Sequence, residues 1–383
     1  MTDIQKIQIN RGLRNIYIDK TKSSMIDGKN GILLYQGYNI HDLAKYSTFE
    51  ETSYLLIHGH LPNKKELDTF DQDLKNNREL PTEILDIIEL LKNSHPMDVL
   101  RTTISAMSVP INNQSINLEK FVIKHGTRIL AAVPTIVTTH ARIRTGNKII
   151  PPNKDLSHAS NFLYMLSGKI PDPIESNLID KDFILHAEHG VNASSFTARV
   201  TASTKADFYA AITAALAALK GPLHGGAAEG VMNMATEIGD KKNVEKYVDS
   251  FLKSGGRIMG LGHAVYKTAD PRAIHLKEGA KQLSDKQGNP KWFSILNAIT
   301  ETKAVQMRQR KGIHPNVDFW AGAIYSLIGI PDDLFVPIFA IGRIPGWILH
   351  ILEQYQSNIL IRPALFYNGS EEKKYININK RNS

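Results

Sequence analysis

The chain has 383 residues, of which 42% are hydrophobic and 22% charged, and it contains no cysteine. Such a length and mixture belong to a folded protein large enough for more than one domain, neither disordered nor fibrous. The missing cysteine excludes disulfides, thiolate metal sites and cysteine nucleophiles together; the net charge of +8, without zinc-finger spacing or an RNP-type aromatic motif, suits a small anionic ligand better than nucleic acid.

No positively charged start leads into an apolar stretch, so no signal peptide is expected and a cytoplasmic location is the default. Residues 15–37, "NIYIDKTKSSMIDGKNGILLYQG", alternate in a strand-like way around the turn "DGKNG". Downstream of this segment most of the chain reads as helix. "EILDIIELLK", "EKFVIKHGTRILAAV" and "ADFYAAITAALAALK" repeat apolar residues at three- and four-residue steps. In the last of these Phe208, Ile212, Leu216 and Leu219 form a stripe and alanines fill the other faces, which predicts a buried helix in close packing, suited to a subunit interface. The most apolar windows, such as "LFVPIFAIG", fall short of the roughly 20 residues of a membrane span. Loops are expected at 148–157, 167–176 and 284–290, where Pro and Gly collect. The expected organisation is a large helical domain of residues 1–220 and 326–383, with a smaller one, 221–325, inserted and a ligand cleft between them.

Four stretches carry chemistry. In "GPLHGGAAEG" (221–230) an alanine-rich helix ends and His224 stands among glycines just before another helix begins. A helix N-terminus disfavours the imidazolium form, and a neutral imidazole there is able to donate a hydrogen bond to a carbonyl or enolate oxygen. Glycine on both sides suggests close approach of a ligand. "GGRIMGLGHAVYKTADPRA" (255–273) is a glycine-rich loop that is neither a Walker loop nor a dinucleotide fingerprint, and it carries His263, Lys267 and Arg272. Arginine offers a planar fork to carboxylates and lysine a point charge to phosphate.

In "KGIHPNVDFWAGAIYSLIG" (311–329) Asp318 lies beside Phe319 and Trp320. It reads equally as a helix N-cap or as a desolvated carboxylate usable as a base. "HAEHGVNASSFTARV" holds His186 and His189 at helical spacing, compatible with metal ligation but more commonly a polar helix face. Arg343 and Arg362 stand in apolar surroundings, where a guanidinium needs a carboxylate or an anionic ligand. Together these groups suit enolisation of a carbonyl compound beside a polyanionic partner.

"KGPLHGGAAE", "GLGHAVYKTADPRA" and "HPNVDFWAGAIYSLIGIP" resemble the three catalytic segments of citrate synthase, and the likeness runs from "LLYQGYNIHDLA" to "IRPALFYNG". The resemblance implies an all-α homodimer whose large and small domains close over acetyl-CoA and oxaloacetate, without a cofactor or a metal, since the coenzyme A thioester is a substrate. It casts Asp318 as the base for the acetyl methyl proton, His224 as donor to the thioester oxygen, and His263 as donor to the oxaloacetate carbonyl. His189, Arg272, Arg343 and Arg362 match dicarboxylate-binding positions, Arg362 reaching across from the partner subunit. Arg257, Ile258, Met259, Gly260, Leu261, Gly262, Lys267, Lys311 and Asn316 match the coenzyme A side. Many relatives carry arginine where this chain has Ala264. The nearest rival is 2-methylcitrate synthase, which uses propionyl-CoA; more distant readings are a metal-dependent hydrolase built on His186, His189, His224 and His263, or a non-catalytic acyl-CoA or nucleic-acid binder.

Overall fold

The computed structural model describes residues 8–13, 16–108, 117–370 and 372–381. The expected hairpin is present as β1 (Ser24–Asp27), β2 (Ile32–Tyr35) and β3 (Tyr38–Asn39), antiparallel in that order, with Ser24 opposite Tyr35 and Asp27 opposite Ile32. Upstream of Ser24 the alternating residues find no strand partner, and Tyr17 stands almost fully exposed; Asn15 lies outside the described residues.

Seventeen α-helices come after the hairpin among the described residues. They are α1 (Ile40–Tyr46), α2 (Phe49–His58), α3 (Lys64–Asn76), α4 (Thr82–Leu90), α5 (Pro96–Ala106), α6 (Leu118–Ile143), α7 (His158–Ser167), α8 (Pro173–His186) and α9 (Ala193–Ser203). Then come α10 (Phe208–Leu219), α11 (Ala227–Ile238), α12 (Val244–Lys253), α13 (Ala273–Gln287), α14 (Lys291–Glu301), α15 (Lys303–Gln309), α16 (Asp318–Ile328) and α17 (Phe335–Gln356). All three periodic stretches are helical, as α4, part of α6, and α10, the last capped by the Asp207 carboxylate on the Ala210 N–H. The predicted stripe Phe208, Ile212, Leu216 and Leu219 is buried.

The apolar window at 334–342 turns out to be the start of a much longer element. Helix α17 runs 22 residues and is long and apolar enough to cross a membrane, but its apolar window is 94% buried among the other helices. It packs on α2, α5, α6, α8, α9, α10 and α11, so a stretch that length alone would assign to lipid is the central rod of the core. Helices α11 to α16 pack chiefly on one another and meet the remainder through α8 and α17. At that seam the end of α8, the start of α9, the start of α16 and the middle of α17 converge.

Candidate active site

Helix α8 ends at His186, and the chain turns at Ala187 before reaching His189. The two histidines therefore do not share a helix face, which corrects the spacing argument for a metal pair. His186 is buried with its Nδ1 2.9 Å from the Asp182 carbonyl and 3.2 Å from Asp182 Oδ1, one turn earlier on α8. Its Nε2 faces Asp318 Oδ1 at 3.8 Å. Among the described residues no three His, Asp or Glu side chains group as metal ligands.

Asp318 opens α16 as its first residue, with Val317 in the cap position, so it is not an N-cap. Its carboxylate stays partly accessible, at 17% side-chain exposure, which a group that meets a substrate requires.

Backbone N–H groups fix the tautomers of the two other catalytic candidates, and they do so in opposite senses. Ser194 sits in the first turn of α9, where backbone N–H groups lack helical partners. Its N–H donates to His224 Nε2 at 3.3 Å, and its hydroxyl lies 2.8 Å from the same atom. A backbone N–H only donates, so Nε2 accepts and the imidazole proton stays on Nδ1. At His263 the N–H groups of Val265 (3.0 Å) and Tyr266 (3.3 Å) donate to Nδ1, which leaves the proton on Nε2. Burial, with Arg343 beside His224 and Arg272 beside His263, pushes both histidines down to about 4. Each is a neutral N–H donor at pH 7.

Packing alone requires glycine directly after His224. A Cβ on Gly225 would come within 2.4 Å of the Leu219 carbonyl and 2.8 Å of Val336, because the turn folds back on α10 and against α17. His224 lies three residues before α11, and its neutrality follows from burial and the Arg343 charge.

The arginines divide. Arg272 is buried and held by Asp270, Nε to Oδ1 at 3.0 Å and Nη2 to Oδ2 at 2.8 Å. Arg343, also buried, donates through Nε to the His186 carbonyl and lies 4.8 Å over the Phe339 ring. No other hydrogen bond from Arg343 is formed among the described residues, so its terminal nitrogens are uncommitted donors. Burial lowers its pKa to about 10 against the opposing charge of Glu188. His189 lies between these two cations, with its ring 4.9 Å from that of His263 and Nε2 3.1 Å from the Tyr266 hydroxyl. Burial and the Arg272 charge keep it well below the usual histidine range. Six of the predicted groups, His189, His224, His263, Arg272, Asp318 and Arg343, are thus gathered within reach of one another's charges.

Arg362 is not brought to this cluster by its own chain. It lies exposed in the segment after α17, next to Ile361, whose N–H donates to Ser203 Oγ at the far end of α9. Ser194 and Ser203 are about 13 Å apart along that helix. On the predicted coenzyme A side the loops 257–262 and 313–316 are laced together. Gly262 N–H donates to the His314 carbonyl (2.8 Å), Asn316 N–H to the Gly260 carbonyl (2.9 Å), and Asn316 Nδ2 to the Gly262 carbonyl (3.1 Å), with a bridge between Leu261 and Pro315. Ile258 and Gly260 are buried and shape the loop, whereas Arg257, Met259, Lys267 and Lys311 are exposed on it. Lys267 N–H also donates to the Gly28 carbonyl (2.7 Å), and a Cβ on Gly28 would meet the Val265 carbonyl at 2.3 Å, so the N-terminal turn is seated on this loop.

Residues that sequence reasoning missed surround the cluster. Ser194 Oγ accepts from Trp347 Nε1 at 3.1 Å, and buried Glu188 accepts from Ser24 (2.9 Å), the Gly190 N–H and His350 (3.1 Å). A signal existed for some of them. His350 and Arg343 interrupt an apolar helix seven residues apart, and Asp182 precedes His186 by one turn.

A neutral N–H on each of two histidines, one accessible carboxylate and two buried guanidiniums can enolise a carbonyl compound beside a bound polyanion. The comparisons with known proteins agree in kind. The family described as citrate synthase, C-terminal domain, matches residues 12–364. The chain is 44% identical to citrate synthase 2 of Bacillus subtilis, over 97% of this chain and 99% of that one. It is 39% identical to 2-methylcitrate synthase 2 of Corynebacterium glutamicum over the whole of both. Its fold is similar, with a TM-score of 0.92 and 33% identity over 98% of this chain and all of the other, to citrate synthase of Thermoplasma acidophilum, solved as a ternary complex with carboxymethyl coenzyme A and oxaloacetate. Likeness that spans both chains from end to end makes this protein a member of the citrate synthase family and a transferase of that type.

Proposed function

We propose that the protein condenses acetyl-CoA with oxaloacetate and water to give citrate and coenzyme A, the first step of the tricarboxylic acid cycle, as a cytoplasmic homodimer. The observation that carries the reading is the gathering of Asp318 with two neutral, oppositely tautomerised histidines beside the uncommitted terminal nitrogens of Arg343 and the Asp270-held Arg272. Asp318 takes a proton from the acetyl methyl group. The C–H electron pair becomes the enol double bond while His224 Nδ1–H donates to the thioester oxygen. A preorganised donor of this kind contributes about 3 kcal/mol, by comparison with oxyanion-hole donors.

The nucleophilic carbon then attacks the ketone carbon of oxaloacetate, whose C=O electron pair moves onto the oxygen that His263 Nε2–H stabilises, and one proton, balancing the one Asp318 removed from the methyl group, neutralises that alkoxide. Water finally cleaves the citryl thioester. His189, Arg272 and Arg343 hold the dicarboxylate and orient its ketone, and Arg362 of the partner subunit completes the cage. Arg257, Lys267 and Lys311 meet coenzyme A from the exposed side of the laced loops. Domain closure excludes water from the enol.

The full-length likeness to a 2-methylcitrate synthase supports a second reading, with propionyl-CoA as the acyl donor. One methylene in an apolar pocket is worth only about 1–3 kcal/mol, so both thioesters compete for one site. The test is thiol-reagent detection of coenzyme A released by purified protein with oxaloacetate and either thioester at equal concentration; the chain has no thiol of its own to react. A higher kcat/KM for acetyl-CoA establishes citrate synthase, the reverse establishes the second reading, and release with neither refutes both.

A further inference from the structure

We infer that His186 is the positioning residue of the catalytic base: a buried imidazolium, held by Asp182, that fixes the carboxylate of Asp318 from behind. The inference rests on Asp318 being that base.

The chain of contacts runs from buried Tyr325 and Asp182 through buried His186 to the partly accessible Asp318. Tyr325 OH donates to Asp182 Oδ2 at 2.6 Å, leaving Oδ1 to face His186 Nδ1 at 3.2 Å. The opposite ring nitrogen points at Asp318 Oδ1 at 3.8 Å, a charge contact rather than a hydrogen bond. The ring has little freedom to turn. It packs on Phe339 with centroids 4.7 Å apart, and the His186 backbone carbonyl accepts from Arg343 Nε. Asp182 and His186 are each about 1% exposed.

The groups that face His186 are Asp182 on its own helix, Asp318 on α16, with Tyr325 of α16 behind Asp182, and Arg343 and Phe339 on α17. Two carboxylates against one guanidinium favour the protonated ring. Burial opposes the charge, but Asp182 and then Asp318 outweigh it and raise His186 to about 9. A raised histidine is protonated below its ordinary pKa of about 6.5 and loses the proton only as the pH rises through about 9. At neutral pH the imidazolium holds Oδ1, and the other oxygen of Asp318 is left to take the methyl proton. The arrangement repeats, with a carboxylate in the terminal position, the logic by which a buried Asp orients a histidine.

The test pairs His186→Gln with Asp182→Asn, both measured as kcat and KM against pH. The expected result for His186→Gln is a kcat lower by about 10- to 100-fold with KM for oxaloacetate within about twofold. The wild-type decline of kcat near pH 9 should also be absent in that variant. In Asp182→Asn the decline should move toward neutral pH, because the ring loses its main counter-charge. A purely structural Asp–His pair would move the denaturation midpoint without moving this limb. Wild-type kcat and an unchanged alkaline limb in His186→Gln overturn the inference, and if that variant does not fold, an unmoved limb in Asp182→Asn does so. Near-normal kcat in Asp318→Asn overturns the reading of the base itself, which distinguishes the two failures.

Discussion

Replacing Asp270 by asparagine should damage stability and oxaloacetate affinity together. Asp270 is 3% exposed and accepts four N–H groups: Arg272 N and Nε on Oδ1, each at 3.0 Å, Arg272 Nη2 on Oδ2 at 2.8 Å, and Val317 N on Oδ2 at 3.3 Å. An amide in its place keeps one accepting oxygen and turns an NH2 toward the other two donors. Hydrogen bonds to charged groups are worth about 1.5–3 kcal/mol, and a buried pair that loses one partner costs about 3–5, so roughly 3–5 kcal/mol is expected. With an unfolding entropy of about 2.1 cal/mol/K per residue over 383 residues, the low end lowers Tm by about 4 °C.

The same change frees the Arg272 fork and releases the Val317 N–H, the residue before Asp318. KM for oxaloacetate should therefore rise about 10- to 100-fold, and kcat should fall. Asp270 burial raises its pKa, but Arg272 more than reverses this and holds the carboxyl below the usual range. Its stabilisation is accordingly present above the unfolded carboxylate pKa and lost as the pH falls below it. Initial rates at pH 7 and calorimetry at pH 7 and about pH 3, below the unfolded carboxylate pKa, check these points. An Asp270→Asn protein with wild-type Tm and KM would refute the view that one buried carboxylate organises both the arginine and the start of α16.

Asp318→Ala should leave oxaloacetate binding by calorimetry nearly intact and lower kcat about a thousandfold, within the range for a general base; a loss under tenfold would remove it from that role. Mixing inactive Arg362→Ala and His224→Ala proteins should restore activity through hybrid dimers that contain one complete site, whereas no recovery after demonstrated subunit exchange would place Arg362 outside a shared site. Buried His158 packs between Phe49 and Phe183 at 5.2 and 6.1 Å, and burial pushes it down to about 3. The unfolded chain binds its proton at about pH 6.5, so stability contributed by the neutral ring is lost as the pH falls from there. In urea melts, His158→Phe should retain about 3 kcal/mol more of its neutral-pH stability at pH 4 than the wild type does. Equal losses would show that the ring titrates normally.

The helices legible in the sequence were those whose burial is one-sided or complete along a whole turn, such as α4 and α10. Helix α17 was read too short because Arg343 and His350 break its apolar pattern, although both are buried where Glu188 lies. The predicted cluster was legible because its glycines, histidines and arginines are concentrated in short motifs. Its supports were not: Ser194, Trp347, Asp182 and Glu188 act through partners that only folding brings near. Gly225 was ambiguous for a related reason, since a demand for close packing against α10 and a demand for ligand access leave the same residue in the sequence.

The segment before the hairpin is fastened to the last turns of α17. Glu353 accepts from the Thr21 hydroxyl at 2.9 Å and the Lys22 N–H at 3.0 Å, and it also holds Arg199 at 2.9 Å. A ribosome adding about 5–20 residues per second needs about 15–65 s to pass from Lys22 to Glu353. For that interval the Thr21–Lys22 segment lacks its Glu353 partner, although the hairpin that follows it reaches Glu188 through Ser24 and the coenzyme A loop through Gly28. The final fastening of the site therefore waits for α17, and a chain that stops before it carries the His224, His263 and Asp318 segments yet lacks Arg343 and the rod that joins them.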